Sequence, residues 1–391
     1  MYLRSTVSTI TILVSRYIVT RTGRAVTEGI TREHVGVGKI FCNAFVTAAP
    51  VHSSISRHSS SENSSDMREP LMKNQSDFFG SRVDVGYQSL WMYHVESTTS
   101  TMDEAKLLVE RNFTSIDNDT SAECSIDASS SKTNLLKSFI ISASSQTNGK
   151  GTSNRNWKST QMGNALFTIG IQQSAWVDNL KSRNNGRIVP LTLLPLKVGS
   201  LVAFNVQRFL MENVNTKNAI PKVTVKWPND VLLLNTQSSN ALHEKVAGIL
   251  IESYRDWLLI GIGINVGYAP DIPLEGPDYG RRAAALSGYI DSAFVQSEKF
   301  WIEISKQLGK NIAHDLHTWL YPASSSSSSL EIGDLILDEW KSFVDWDMKL
   351  VLRDTPKREE VTLKEVLKDG RVVVEEVETG MTRTLVSDYF L

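Results

Sequence analysis

Cysteine is nearly missing from this 391-residue chain. Only Cys42 and Cys124 occur, too few and too far apart for a zinc site, and they imply no disulfide framework. A net charge of −2 leaves no basic excess, which argues against a general nucleic-acid coat. No apolar run is long enough to span a membrane, and Arg16 interrupts the one N-terminal stretch that resembles a secretory core. Two nucleotide-binding fingerprints are also absent. Gly149-Lys150 is followed by Gly151 rather than Ser or Thr, so it is no P-loop, and Gly261-x-Gly263 lacks the third glycine of a dinucleotide motif and lies inside a strand pattern. What remains is a length with room for two compact domains and 41% hydrophobic residues to build their cores.

The densest chemistry lies in Lys226-Trp227-Pro228-Asn229-Asp230, set between the apolar runs Val223 to Val225 and Val231 to Leu234. Pro228 fixes its own φ and biases Trp227 toward extended geometry, so side chains leave one strand and enter the next in set directions. Alone, the segment reads equally well as a hairpin turn. A second constellation follows Phe139-Ile140-Ile141: the polar, glycine-spaced loop from Gln146 through Lys150, Gly151, Thr152 and Arg155 to Trp157. Such a loop can aim backbone N–H groups at an anion while Lys150 and Arg155 add charge. A flexible surface linker would fit the polarity but not Trp157.

Lys245 opens the strand pattern Val246 to Glu252, and Trp257 to Val266 reads as its antiparallel neighbour. Gly248, Gly261 and Gly263 remove side chains from strand interiors, which marks bulges or a close approach by ligand or backbone. Upstream, Ser100-Thr101-Met102-Asp103-Glu104 opens an amphipathic helix, with Thr101 and Glu104 as a capping box. The free N–H groups of such a helix start can also hold a polar ligand.

Taken in order, these pieces resemble biotin protein ligase, also called holocarboxylase synthetase. The resemblance runs from about residue 90 to 270, and the tail is similar to the family's small C-terminal domain. Each motif alone is weakly specific; the ordered set is strong. It implies an α+β fold, in which a mixed or antiparallel sheet is flanked by helices, followed by an SH3-like β barrel. It implies ATP-dependent formation of biotinyl-5′-AMP and transfer of biotin to a lysine of biotin carboxyl carrier domains of carboxylases, with ATP, biotin and Mg2+ as companions. The same resemblance makes Lys245, Lys150, Lys226 and Asp230 the candidate catalytic groups. Ser100, Thr101, Met102, Gln146, Lys150, Gly151, Thr152, Arg155, Trp157, Asn229, Lys245, Gly248, Gly261, Gly263 and Asn265 become the candidate biotin and adenylate pocket. Trp227 is weighed slightly toward core packing, and no metal ligand is fixed by the protein beyond Asp230 as a candidate for Mg2+.

Departures from the family pattern matter. Thr152 stands where the family loop has arginine, so the chain either holds adenylate less well or uses Arg155 as a substitute. The stretch after Asn265 lacks an aromatic for adenine, unless Tyr268 or Tyr279 takes that part. The lipoate and octanoate ligases share the fold, but their Arg-Arg and triple-glycine loop is not found. A catalytically weak biotin-sensing protein is the rival from another class. Neither nucleic acid nor membrane is an expected partner, no helix-turn-helix pattern appears in residues 1–85, and monomer and homodimer both remain open, with edge strands expected near Gly261 to Val266.

Residues 1–85 form an expected leader. Arg4, Arg16, Arg21 and Arg24 with many Ser and Thr, and no acid before Glu28, compose what a mitochondrial or plastid transit peptide has, the cytoplasm being the alternative, and Ser53 to Ser65 is a low-complexity linker. The catalytic region is expected over 86–322, with a Ser/Asp-rich insertion at 114–138 and helices over Leu191 to Met211 and Ser297 to Leu320. A Ser-rich connection follows at 323–332, and 333–391 form the C-terminal domain with turns at Asp369-Gly370 and Thr379-Gly380. His314 and His317 have metal-ligand spacing, but a solvated helical face beside Asp315 is the commoner outcome.

Overall fold

The computed structural model describes residues 79–85, 88–117, 138–152, 155–159, 162–213, 220–235, 242–273, 280–290, 297–322, 330–352 and 359–386, all within the second of two compact units. Residues 1–78 of the expected leader with its linker, most of the insertion, and the six-serine run lie outside these residues.

The chain begins with β1 (Phe79–Val85), β2 (Gln88–Thr98) and α1 (Thr101–Asp117), then β3 (Ser138–Gln146), β4 (Gly149–Lys150), β5 (Asn156–Trp157) and β6 (Ala165–Gln172). The short α2 (Leu180–Arg183) and the long α3 (Leu194–Asn213) lead to β7 (Lys222–Lys226), β8 (Asp230–Asn235), β9 (Leu242–Tyr254) and β10 (Trp257–Ile264). Then come α4 (Glu298–Leu320), α5 (Ile332–Lys341) and β11 (Lys349–Val351), β12 (Glu360–Val366), β13 (Val372–Glu376) and β14 (Thr382–Leu385).

Eight strands form one sheet in the order β1-β2-β3-β6-β10-β9-β8-β7. Every pair is antiparallel except β2 with β3, whose parallel register requires the crossover that α1 supplies. Both faces are buried, so the strands read as continuous apolar runs rather than alternating ones. On one face α1 packs Met102, Ala105, Leu108 and Val109 against Phe139, Ile141, Trp257 and Leu259. On the other, α3, α4 and α5 share one large core with Ile140, Phe167, Ile169, Leu258 and Ile260. Ser297 caps α4, its hydroxyl accepting from the Phe300 N–H.

Four expectations need correcting. β10 lies between β6 and β9, so the stretch from Gly261 is interior and the edge expected there belongs to β1 and β7. Thr101 is the first helical residue, not the cap: Ser100 precedes the helix, and the Glu104 carboxylate accepts from Thr98 Oγ1 at 2.7 Å instead of returning to Thr101. His317 is buried rather than solvated, with its Nδ1 2.6 Å from Ser138 Oγ. Finally, residues 79–85, expected as the end of the leader, form the edge strand β1 paired with β2. The C-terminal domain is seen as an antiparallel ladder, β11-β12-β13-β14, with Gly370 and Gly380 at positive φ in the expected turns.

Candidate active site

A cavity of about 410 Å³ opens where the ends of β3, β9 and β10, the start of α1 and the β4–β5 hairpin meet. Its wall includes Ser100, Thr101, Met102, Gln146, Lys150, Gly151, Thr152, Arg155, Trp157, Asn229, Lys245, Gly248, Gly261, Gly263 and Asn265. The spacing that scattered these residues over some 165 positions of sequence is undone by the sheet order.

The floor is bare backbone. A Cβ on Gly263 would lie 2.4 Å from the Trp157 ring, one on Gly248 2.8 Å from the same ring, and one on Gly261 2.9 Å from Met102 Cε. These glycines therefore admit the indole and the thioether against the sheet, which is the close-approach meaning of glycine in a strand. Trp157 is carried there by the two-rung pairing Gly149↔Trp157 and Lys150↔Asn156. The anion-cradling loop foreseen from the glycines is thus a small hairpin: Gly151 N–H donates to the Arg155 carbonyl, and Thr147 and Asn148 N–H groups donate to Thr98 and Thr99. Positive charge here comes from side chains rather than from a nest of amides.

A polar chain crosses the start of α1. Gln146 Oε1 accepts from the Thr101 N–H at 2.7 Å and lies 3.2 Å from Thr101 Oγ1, and Thr168 Oγ1 donates to Thr101 Oγ1 at 2.9 Å. Ser100 Oγ accepts from the Met102 N–H. Lys150 forms an ion pair with Asp103 in the first helical turn.

Opposite stands a carboxylate held by two ammonium groups. Asp230 Oδ1 is 2.6 Å from Lys245 Nζ and Oδ2 is 3.2 Å from Lys226 Nζ. Burial would raise the Asp230 pKa, but Lys245 and Lys226 outweigh it and hold the carboxyl well below the ordinary carboxylate range. Lys245 Nζ also lies 5.6 Å from the Trp157 ring centroid, a cation–π arrangement that fixes the ammonium at the cavity wall.

Lys226 and Asp230 are not brought onto that wall. The hairpin register Lys226↔Asp230 turns both inward, and Lys226, only 5% exposed, backs the carboxylate from behind. Lys226 is a supporting charge, and Asp230 positions Lys245. Asn229 reaches the cavity while its Nδ2 donates to the Ile249 carbonyl. Trp227 packs in the main core and donates from Nε1 to the Gly370 carbonyl at 2.9 Å, which fits its packing role.

Three polar atoms of the wall are buried with no partner among the described residues: Trp157 Nε1, Asn265 Oδ1 and Arg281 Nε. Buried donors and acceptors left unpaired cost free energy, so a ligand that pairs them is favoured. Sequence reasoning missed Arg281 and Thr168. Thr168 could have been found from its place on β6 beside β10, whereas Arg281 follows a stretch without periodicity.

No group of three His, Cys, Asp or Glu side chains stands together as a metal site among the described residues. With both its oxygens held by lysines, Asp230 does not fit as an Mg2+ ligand. A second hollow of about 710 Å³ shares Lys158, Pro270 and Ala283 with the first and is lined by Tyr268 and Tyr289. Tyr268 therefore borders the neighbouring hollow, and Tyr279 lies outside the described residues.

Residues 122–268 match the sequence profile of the biotin/lipoate A/B protein ligase family. A biotin–[acetyl-CoA-carboxylase] ligase of Mycobacterium tuberculosis is 25% identical over 186 residues, 44% of this chain and 59% of the relative, so the chain spans about three fifths of that relative's length. Among solved structures, biotin protein ligase from Leishmania major in complex with biotin aligns over 76% of this chain and 98% of its own, at 24% identity and a TM-score of 0.45. The Aquifex aeolicus enzyme with biotin and ATP aligns over 76% and 99%, at 20% identity and a TM-score of 0.43.

Proposed function

We propose that this chain, a member of the biotin/lipoate A/B protein ligase family, activates biotin with ATP and transfers it to a lysine of biotin carboxyl carrier domains. The observation that carries the proposal is the meeting of Lys150 and Lys245, from a hairpin and a distant strand, on one glycine-floored cavity whose wall holds three unpaired polar atoms.

The chemistry asks for what that wall offers. The biotin carboxylate must attack the α-phosphorus of ATP, breaking the bond to the β-phosphate oxygen and releasing pyrophosphate. Two anions repel as they approach, and fixed cations at the meeting point lower that cost. Lys245, anchored by Asp230 at the cavity wall, serves as one such cation, and Lys150 as the second. Mg2+ enters with ATP as part of the substrate, since the donor set does not fit a resident ion. In the second half, the acceptor amine nitrogen attacks the acyl carbon, AMP leaves, and the amine proton passes to solvent. Asp230 is too firmly ionised to take that proton. The indole of Trp157 over the glycines covers the anhydride and excludes water.

The acceptor is the carrier domain of a carboxylase, a reading supported by the acetyl-CoA-carboxylase named for the M. tuberculosis relative. The Arg- and Ser-rich leader supports a mitochondrial or plastid address, and a reporter fused to residues 1–60 tests it: diffuse cytoplasmic signal removes it.

The decisive assay incubates the chain with Mg2+–ATP, a biotin carrier domain and either biotin or lipoate. Pyrophosphate and avidin-reactive carrier with biotin are expected. Binding of biotin without pyrophosphate would make the chain a sensor, and product with lipoate alone would make it a lipoate ligase.

A further inference from the structure

Arg281 is one of the three wall residues with an unpaired buried polar atom. Its side chain lines the same cavity as Lys245 and Thr152. The backbone beside it is locked to the Lys245 strand, because Lys245 N–H donates to the Arg282 carbonyl at 2.7 Å and Ala284 N–H donates to the Lys245 carbonyl at 2.9 Å. One arm of the guanidinium is anchored, Nη1 donating to the His243 carbonyl at 3.3 Å. Its Nε–H is buried with no acceptor among the described residues.

A guanidinium is a planar fork whose adjacent N–H groups match two oxygens of one phosphoryl or carboxyl group. Burying such a fork with a donor unpaired is costly, and the cost is recovered when an anion takes that donor. The other arginine of the cavity is differently engaged. Arg155 donates from Nη2 to Thr152 Oγ1 at 2.8 Å and from Nε to the Thr152 carbonyl at 3.2 Å, which folds it over its own loop and occupies the Thr152 hydroxyl. Arg155 is therefore not poised to substitute for an arginine at position 152.

We propose, on the footing of biotinyl-adenylate formation set out above, that Arg281 grips the phosphoryl group of the adenylate and retains that intermediate between the two half-reactions. Its role is distinct from that of biotin recognition, which falls to the glycine floor, Trp157 and the polar chain at the start of α1. Loss of the fork therefore weakens the hold on the adenylate and leaves the hold on free biotin.

The test uses the full chain and its Arg281→Gln and Arg281→Lys variants, each loaded with biotin and Mg2+–ATP. Adenylate release is timed after dilution into unlabelled adenylate, and biotin affinity is measured by titration. Arg281→Gln should release adenylate about tenfold to a hundredfold faster, the worth of a hydrogen bond to a charged group, with biotin affinity within about twofold of the parent. Arg281→Lys keeps the charge without the fork and should fall between. Unchanged release from a folded Arg281→Gln protein overturns the proposal, and so does equal weakening of biotin and adenylate, which marks a structural role. Should the Gln variant not fold, Arg281→Lys decides, and release equal to the parent's overturns the proposal. A parent that forms no adenylate at all brings down the ligase assignment with it, whereas a parent that does so with indifferent variants brings down only the role of Arg281.

Discussion

The indole of Trp157 lies where the side chain of any residue other than glycine at 263 would begin, 2.4 Å from the position of a Cβ. Gly263→Ala must therefore push the ring off the sheet. Overpacking of this kind costs about 1–3 kcal/mol, and here it falls on the wall of the cavity. Biotin affinity measured by titration calorimetry should drop roughly tenfold to a hundredfold. An alanine variant that binds biotin as the parent does would show that Trp157 does not shape the pocket.

Asp230 is the second point of leverage. Replacing it by Asn leaves Lys226 buried without its counter-charge and frees Lys245 from its anchor, a loss on the order of 3–5 kcal/mol for a broken buried pair. Because the folded carboxyl titrates below its ordinary value of 3.8, its contribution is present above that value and is lost as pH falls beneath it. Chemical denaturation of the parent should show this acid limb, and Asp230→Asn should lack it while being less stable at pH 7. Equal stability of the two proteins at pH 7 would refute the buried-pair argument.

Trp227 ties the hairpin that carries Asn229 and Asp230 to the turn at Gly370 between β12 and β13. Trp227→Phe keeps most of the ring and leaves the Gly370 carbonyl without its donor. Unfolding should be easier by about 1–2 kcal/mol, read from the denaturant midpoint. Biotin affinity should hold, since the ring faces the core rather than the cavity.

His317 makes a separate acid sensitivity. Burial, and then the neighbouring His314, push its pKa down from 6.5 to about 4. Its Nε2 is buried without a partner among the described residues, so an added proton there would find no acceptor. Between those two values the unfolded chain binds a proton that the folded chain refuses, and stability declines as pH is lowered from 6.5 to 4. The decline should be on the order of 2–3 kcal/mol by pH 4.5, seen as a lower melting temperature at pH 4.5 than at pH 7.5, and His317→Gln should flatten it. A parent with the same midpoint at both values would exclude the effect.

Much of the fold was legible because the apolar runs are long and closed by clear punctuation. The strands on either side of Lys226 to Asp230, the paired strands from Lys245 to Val266, and the helix capped by Ser297 needed only local signals. The cavity residues were named from motif order, and the sheet brings them together. What stayed hidden depends on partners distant in sequence. Thr224 and Lys226 are buried like Val223 and Val225 because both faces of β7 are covered, so alternation could not reveal which way the lysine points. The His317 error had a signal: Ile312, Ala313, Leu316 and Leu320 make a buried stripe in which position 317 falls, and the charge of Asp315 obscured it. Arg281 had none.

The β4–β5 hairpin is joined by two facing residue pairs, while the surface beneath it belongs to an eight-strand sheet packed on both sides. A reactive anhydride needs shelter during its lifetime and exposure at its transfer. In the proposed reaction, a cover joined by few pairings over a rigid base would let the two demands fall on different parts of the molecule.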